Sequence, residues 1–228
     1  MTNINQQITK IREELTQYAN DSCAVKLIAV SKTYPIETIQ EAYNQAKQLV
    51  FGENYPQELA IKANQLKKLS LEWHFIGNIQ SNKTKLIAEN AAWVHTLTSI
   101  NHAKRLNDQR PTNLDPLQVL IEVNISNEPS KHGLNSLEEI ILLAHQINLL
   151  PNLKLRGLMG MASATDNVEL IKSQFNQLKS CQQQLNEQGF NLDQLSIGMS
   201  GDYRQALECG ATMIRIGSLI FGERNYDN

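Results

Sequence analysis

The chain has 228 residues, 41% hydrophobic and 19% charged, with a formal net charge of −2. That balance suits a folded domain with a sizeable core, and so small a charge gives no electrostatic reason for a nucleic-acid or membrane partner. The cysteines, Cys23, Cys181 and Cys209, form no CxxC pair or disulfide framework, the N-terminus lacks a signal-peptide core, and no apolar run reaches bilayer length; a soluble protein of the reducing cytoplasm is expected.

In chain order, residues 4–18 read as a helix inside an N-terminal extension over 1–22. Short β-branched apolar runs then alternate with segments of helical periodicity. A buried strand over 26–31 leads into a helix running from Pro35, whose fixed φ suits a first turn, to about residue 48. Strands at 49–51, 72–76 and 93–96 are each followed by a helix, at 56–69, 82–90 and 99–107. The clearest strand, 117–124, precedes a helix at 136–148. Strands at 154–158, 195–197 and 213–216 complete the series, with helices at 168–188 and 202–209 between them. Eight strands alternating with helices, with no linker or change of composition, predict one domain over 1–228. That domain is α/β, a single (β/α)8 TIM barrel with an extra N-terminal helix; a doubly wound open sheet is the rival.

In such a barrel the chemistry lies at the C-terminal ends of the strands. Lys32 closes Leu27-Ile28-Ala29-Val30-Ser31. It reads either as a lysine snorkelling past the rim or as an amine of depressed pKa able to form an imine with an aldehyde, and the segment does not decide. Gly198-Met199-Ser200-Gly201 and Gly217-Ser218 follow the last two strands, where barrels often hold a phosphate on backbone N–H groups at a short helix N-terminus. Arg215 sits between Ile214 and Ile216 and needs an acceptor: a salt bridge to Glu53 or Glu122, or the ring nitrogen of a heteroaromatic ligand. An amine, phosphate donors and a cation together describe a phosphorylated aldehyde cofactor, and pyridoxal 5′-phosphate (PLP) meets all three needs.

The motifs Ala29-Val30-Ser31-Lys32, Phe51-Gly52-Glu53-Asn54-Tyr55, Trp73-His74-Phe75-Ile76-Gly77 with Gln80-Ser81-Asn82-Lys83, and Val123-Asn124-Ile125 with Lys131-His132-Gly133 then stand out. Arg156-Gly157-Leu158-Met159, Gly198-Met199-Ser200 with Asp202, and Arg215-Ile216-Gly217-Ser218 with Phe221-Gly222 follow. In order and spacing they resemble the PLP homeostasis family, also called the proline synthetase co-transcribed or YggS-like family, from about Ile28 to Tyr226. That family shares its barrel with the N-terminal domain of alanine racemase. The resemblance implies a Schiff base on Lys32, Asn54 near the cofactor's 3-hydroxyl, and a phosphate cup of Ser200, Gly217 and Ser218. It also implies that Arg215 faces the pyridine nitrogen and that His74 and Met159 line the cavity. Asn78-Ile79, Gly201 and Pro56 depart from the family pattern and alter the rim at the third strand.

A guanidinium beside the pyridine nitrogen disfavours its protonation and weakens the ring as an electron sink. With the eighth repeat ending just before Asn228, the second domain that helps supply an opposing base in the racemase relatives is expected to be absent. The expected function is therefore PLP buffering or delivery by a monomer, with PLP-dependent apo-enzymes as recipients and no strong turnover. A PLP-dependent amino-acid racemase or lyase of the same fold is the alternative. The segment from Gly77 to Thr84 keeps the outer glycine, Lys83 and Thr84 of a P-loop but has Asn82 in place of its second glycine, a weak nucleotide signal. The five histidines show no HxxxH or HExxH spacing for a metal. A protein-interaction module is a further alternative, which PLP titration without any colour change would favour.

Overall fold

The computed structural model describes residues 3–18 and 24–222. Cys23, Tyr226, Asn228 and the end of the predicted extension lie outside the described residues. Eight parallel strands, β1 (Lys26–Val30), β2 (Val50–Glu53), β3 (Glu72–Phe75), β4 (Trp93–Leu97), β5 (Leu117–Val123), β6 (Leu153–Gly160), β7 (Gln194–Ser196) and β8 (Met213–Ile216), form a closed barrel in sequence order. Closure is made where β1 pairs with β8, Leu27 opposite Ile214 and Ala29 opposite Ile216. This pairing decides against the open sheet, which alternation alone could not exclude.

The helices surround the barrel. α1 (Ile4–Thr16) precedes β1, and the helices after successive strands are α2 (Ile36–Ala46), α3 (Pro56–Gln65), α4 (Thr84–Asn90), α5 (Ile100–Gln109), α6 (Leu137–Asn148), α7 (Val168–Glu187), α8 (Tyr203–Glu208) and the short α9 (Ser218–Phe221). Their local causes are legible. Asn3 caps α1 by accepting from the Gln6 N–H, Pro56 opens α3 at its first turn, and Ser136 with Glu139 forms a full capping box on α6. The predicted helix 56–69 ends at Gln65, because its last turn tightens into a 3₁₀ segment, Lys67–Leu69, before Ser70 turns left-handed. No helix among the described residues is long and apolar enough to cross a membrane.

Two buried layers result. Alternate strand residues such as Phe51, Phe75, Ile121 and Leu158 face the helices in the large core. The other face fills the barrel with a small cluster, Ile28, Trp93, Leu120, Met159 and Met213. Beside that cluster run buried polar side chains, His74, His95, Ser196 and Arg215, an unusual filling for a barrel interior.

Candidate functional site

A chamber of about 590 Å³ opens at the C-terminal ends of β1, β2, β7 and β8, and Lys32, Asn54, Ser200, Arg215, Gly217 and Ser218 all line it. Six of the seven residues singled out in the sequence are thus brought to one place. Met159 is not. It lies 2% exposed in the barrel's inner cluster, and the chamber wall is Met161. Strand side chains repeat on one face every second residue, so Met161 stands one level nearer the mouth than Met159. His74 is likewise fully buried below the chamber rather than along its wall.

The residues on either side of Lys32 are fastened by hydrogen bonds. The Ser31 hydroxyl donates to Glu53 (2.6 Å), and the buried Lys62 ammonium of α3 donates to the Ser31 carbonyl (2.7 Å), Glu53 (2.8 Å) and Glu58 (2.6 Å). Glu58 also accepts from the Thr33 N–H (2.7 Å), where the backbone is left-handed, with φ of 67°. A threonine there stores about 1–3 kcal/mol of strain, sustained because the surroundings over-determine it.

The turn that leads to Ser200, one of the phosphate-cup candidates, starts on backbone geometry that favours glycine. Gly198 has φ of 90°, and a Cβ there would lie 2.6 Å from that of Ala206. Asp202 fastens the same turn by accepting from the Met199 N–H (2.6 Å). Gly217 is the N-cap of α9 and Ser218 its first residue, and both line the chamber.

Arg215 is 5% exposed, and no carboxylate of the described residues lies within ion-pair distance. Neither salt bridge weighed from the sequence forms, since Glu53 is committed to Lys62 in the helix-facing layer. The guanidinium donates instead to the Ser196 carbonyl (2.8 Å), the Ser196 hydroxyl (2.6 Å) and the Gly160 carbonyl (3.3 Å). Burial pushes its pKa down to about 10, partly offset by the more distant Asp202 and Glu122, and it stays a cation at neutral pH.

Below Arg215 a hydrogen-bond chain crosses the barrel. Ser196 Oγ is 2.9 Å from His95 Nδ1, His95 Nε2 is 2.8 Å from His74 Nδ1, and His74 Nε2 is 2.7 Å from Glu72, which also accepts from Lys26 (2.6 Å). The two ends fix the protons between them. The carboxylate accepts from His74 Nε2–H, so His74 Nδ1 accepts from His95 Nε2–H, and His95 Nδ1 accepts from the Ser196 hydroxyl, leaving that oxygen to accept from Arg215. Burial lowers the pKa of both imidazoles and favours the neutral forms this order needs. At the solvent end, burial opposes ionisation of Glu72, but His74 and Lys26 outweigh it and hold its pKa at about 2.

Sequence reading missed His95, Ser196 and Glu72 as a connected set. The available signal was polar residues at inward positions of otherwise apolar strands. The P-loop-like segment is not a phosphate cradle: Thr84 is buried and its hydroxyl turns inward to Gln109 (2.8 Å) and the Ser81 carbonyl (3.2 Å). Gly77 serves close packing, since a Cβ there would lie 1.9 Å from the Asn54 carbonyl. No group of three or more metal-ligating side chains occurs among the described residues.

Residues 3–225 match the family model described as alanine racemase, N-terminal domain. A protein of Vibrio alginolyticus named pyridoxal phosphate homeostasis protein is 48% identical over 99% of this chain and 100% of its own length. The protein of that name from Escherichia coli (strain K12) is 43% identical, over 98% of this chain and 96% of its own. Among solved structures, PipY of Synechococcus elongatus with PLP bound superposes with a TM-score of 0.85 at 32% identity, covering 96% of this chain and 100% of PipY. An alanine racemase of Clostridium difficile shares the fold, with a TM-score of 0.75 at 16% identity over 58% of its length. The chain belongs to the alanine racemase N-terminal domain family and, within it, to the pyridoxal phosphate homeostasis proteins.

Proposed function

We propose that the chain binds PLP reversibly as a Schiff base on Lys32 and buffers or delivers it in the cytoplasm, as a monomer, with no strong turnover of amino acids. The observation that carries this reading is the convergence on one chamber of a lysine, an arginine without a carboxylate partner among the described residues and a glycine-serine turn at each of the last two strands. The residues fit the cofactor in a further respect. Asn54 Oδ1 is buried and accepts no hydrogen bond, so it offers an acceptor for the 3-hydroxyl. Lys32 would hold the aldehyde carbon, Ser200, Gly217 and Ser218 the phosphate, and Arg215 the ring nitrogen.

Bound PLP supplies an electron sink whose strength depends on protonation of its ring nitrogen. Arg215 remains charged, and its N–H groups not used by Ser196 and Gly160 would be available to that nitrogen, which would favour the unprotonated ring. The same geometry that retains the cofactor therefore withholds most of its catalytic power. Release to PLP-dependent apo-enzymes is the use this leaves.

The purified chain with added PLP is expected to develop imine absorbance at one equivalent. Borohydride should place a stable adduct on the peptide containing Lys32, and Lys32→Ala should remove both. A colourless protein with no adduct at that position overturns the proposal, and robust alanine racemisation lost on Lys32→Ala replaces it with the enzyme reading.

A further inference from the structure

Next to the Lys32 chamber lies a second one of about 580 Å³, and the two share Asn54, Ile76 and Met161. Among the described residues lining it, Glu122 alone is charged. Its neighbours Ile121 and Val123 face the helices, so alternation along β5 turns Glu122 inward to the mouth. The residue is 3% exposed, yet its carboxylate accepts no hydrogen bond from the described residues and has no cation within ion-pair distance; His132 and Arg215 act on it only from further away.

A buried carboxylate without donors is costly, and it either finds a partner or takes up a proton. Burial does push the Glu122 carboxyl up. The neighbouring polar groups do not relieve it. Arg215 donates to Ser196 and Gly160 and lies beyond ion-pair distance of Glu122, the Thr96 hydroxyl donates to the Gly77 carbonyl (2.6 Å), and Asn78 is 3.0 Å from His132 Nε2. Asn54 Oδ1, on the shared wall, is a second acceptor without a donor. An occupant must therefore bring positive charge and N–H donors. One carboxylate is too few for a bare divalent ion, which takes six or more oxygens, whereas an ammonium brings three donors on a compact charge.

We propose that the second chamber is a binding site for a primary ammonium group, with Glu122 as its counter-ion. Its use rests on the Lys32 reading: an amine held there stands beside the place where PLP would be carried, and after giving one proton to Glu122 its nitrogen could attack the imine carbon, with the Lys32 amine leaving as the C–N bond to it breaks. The amine has two sources, a free amino acid or a lysine side chain of a recipient protein.

The test uses the full chain free of PLP, with ¹³C-labelled glutamate carboxyls followed by NMR. The probe is n-propylammonium, with n-propanol and propionate as neutral and anionic isosteres. The ammonium should shift one carboxyl resonance saturably, propanol and propionate should not, and Glu122→Gln should abolish that resonance and weaken binding about tenfold. An equal response to all three probes, or saturable binding untouched by Glu122→Gln, overturns the proposal. Should the variant fail to fold, the three-probe comparison on the native chain decides alone. Tighter binding of L-alanine than of Nα-acetyl-L-lysine methylamide assigns the site to free amino acids, and the reverse to lysine side chains; binding of neither overturns it. Because no PLP is present, failure here leaves the Lys32 reading standing, and a missing Lys32 adduct leaves these titrations unaffected.

Discussion

Lys62 is 4% exposed and holds together three groups that would otherwise be incompatible in a dry layer: the Ser31 carbonyl and the carboxylates of Glu53 and Glu58. Burial pushes Glu53 up to about 7 even against the ammonium and the Ser31 hydroxyl, so the pair is close to its electrostatic limit. Removing one partner of a buried pair costs about 3–5 kcal/mol, because the other is left uncompensated. Lys62→Met is expected to destabilise by that amount in urea denaturation. It should also weaken PLP binding, since Ser31 and Thr33, on either side of Lys32, lose their fastening. A variant as stable as the parent would show that Glu53 simply protonates at no cost. The sequence placed Glu53 beside a site residue but offered no sign of Lys62 as its partner, because the two meet only after α3 has packed against β1 and β2.

At the scale of elements, the chain from Lys26 to Arg215 ties β1, β3, β4, β7 and β8 across the barrel interior. His95→Leu leaves the Ser196 O–H without its acceptor and His74 Nδ1 without its donor, at a cost of about 1–3 kcal/mol for each such group, although the Ser196 oxygen still accepts from Arg215. It is expected to lower the denaturation midpoint and to weaken PLP binding by loosening Arg215, both readable by urea titration and PLP absorbance. Acid acts on the other end of the chain. Glu72 has its folded pKa depressed to about 2 from an ordinary 4.5, so its contribution is complete above 4.5 and is lost as pH falls toward 2. In that window the unfolded chain binds the proton more readily, and stability should fall with falling pH. Glu72→Gln should flatten the slope of unfolding free energy against pH there; an unchanged slope would remove Glu72 from the linkage.

For the whole molecule, closure depends on a seam between the first and last strands, and α1 lies across it. Ile4, Ile8, Ile11 and Leu15 bury one face of α1 against the core, and the helix packs on both α2 and α9. Glu14 reaches Tyr203 (2.6 Å) and Arg204 (2.9 Å) at the far end of the chain. α1 thus joins the start and end of the barrel on its outer surface. Ile8 is fully buried, and Ile8→Ala is expected to cost about 2–5 kcal/mol in thermal or urea unfolding. A cost below 1 kcal/mol would mean that α1 is an appendage rather than part of the core.

The sequence alone carried the order of strands and helices, since hydrophobic period and turn chemistry are local properties; strand-end positions pointed to Lys32, Ser200, Arg215, Gly217 and Ser218, and Asn54 came from the family resemblance. The likeness of Met159 and Met161, two residues apart on one face, hid which of them reaches the chamber, because depth along a barrel axis depends on register with neighbouring strands. Tertiary structure decided closure, the commitment of Glu53 to Lys62, the bonding of Arg215 to Ser196, and the isolation of Glu122. Each of these depends on which side chains meet across the barrel, and such meetings are set by long-range pairing that no local pattern encodes.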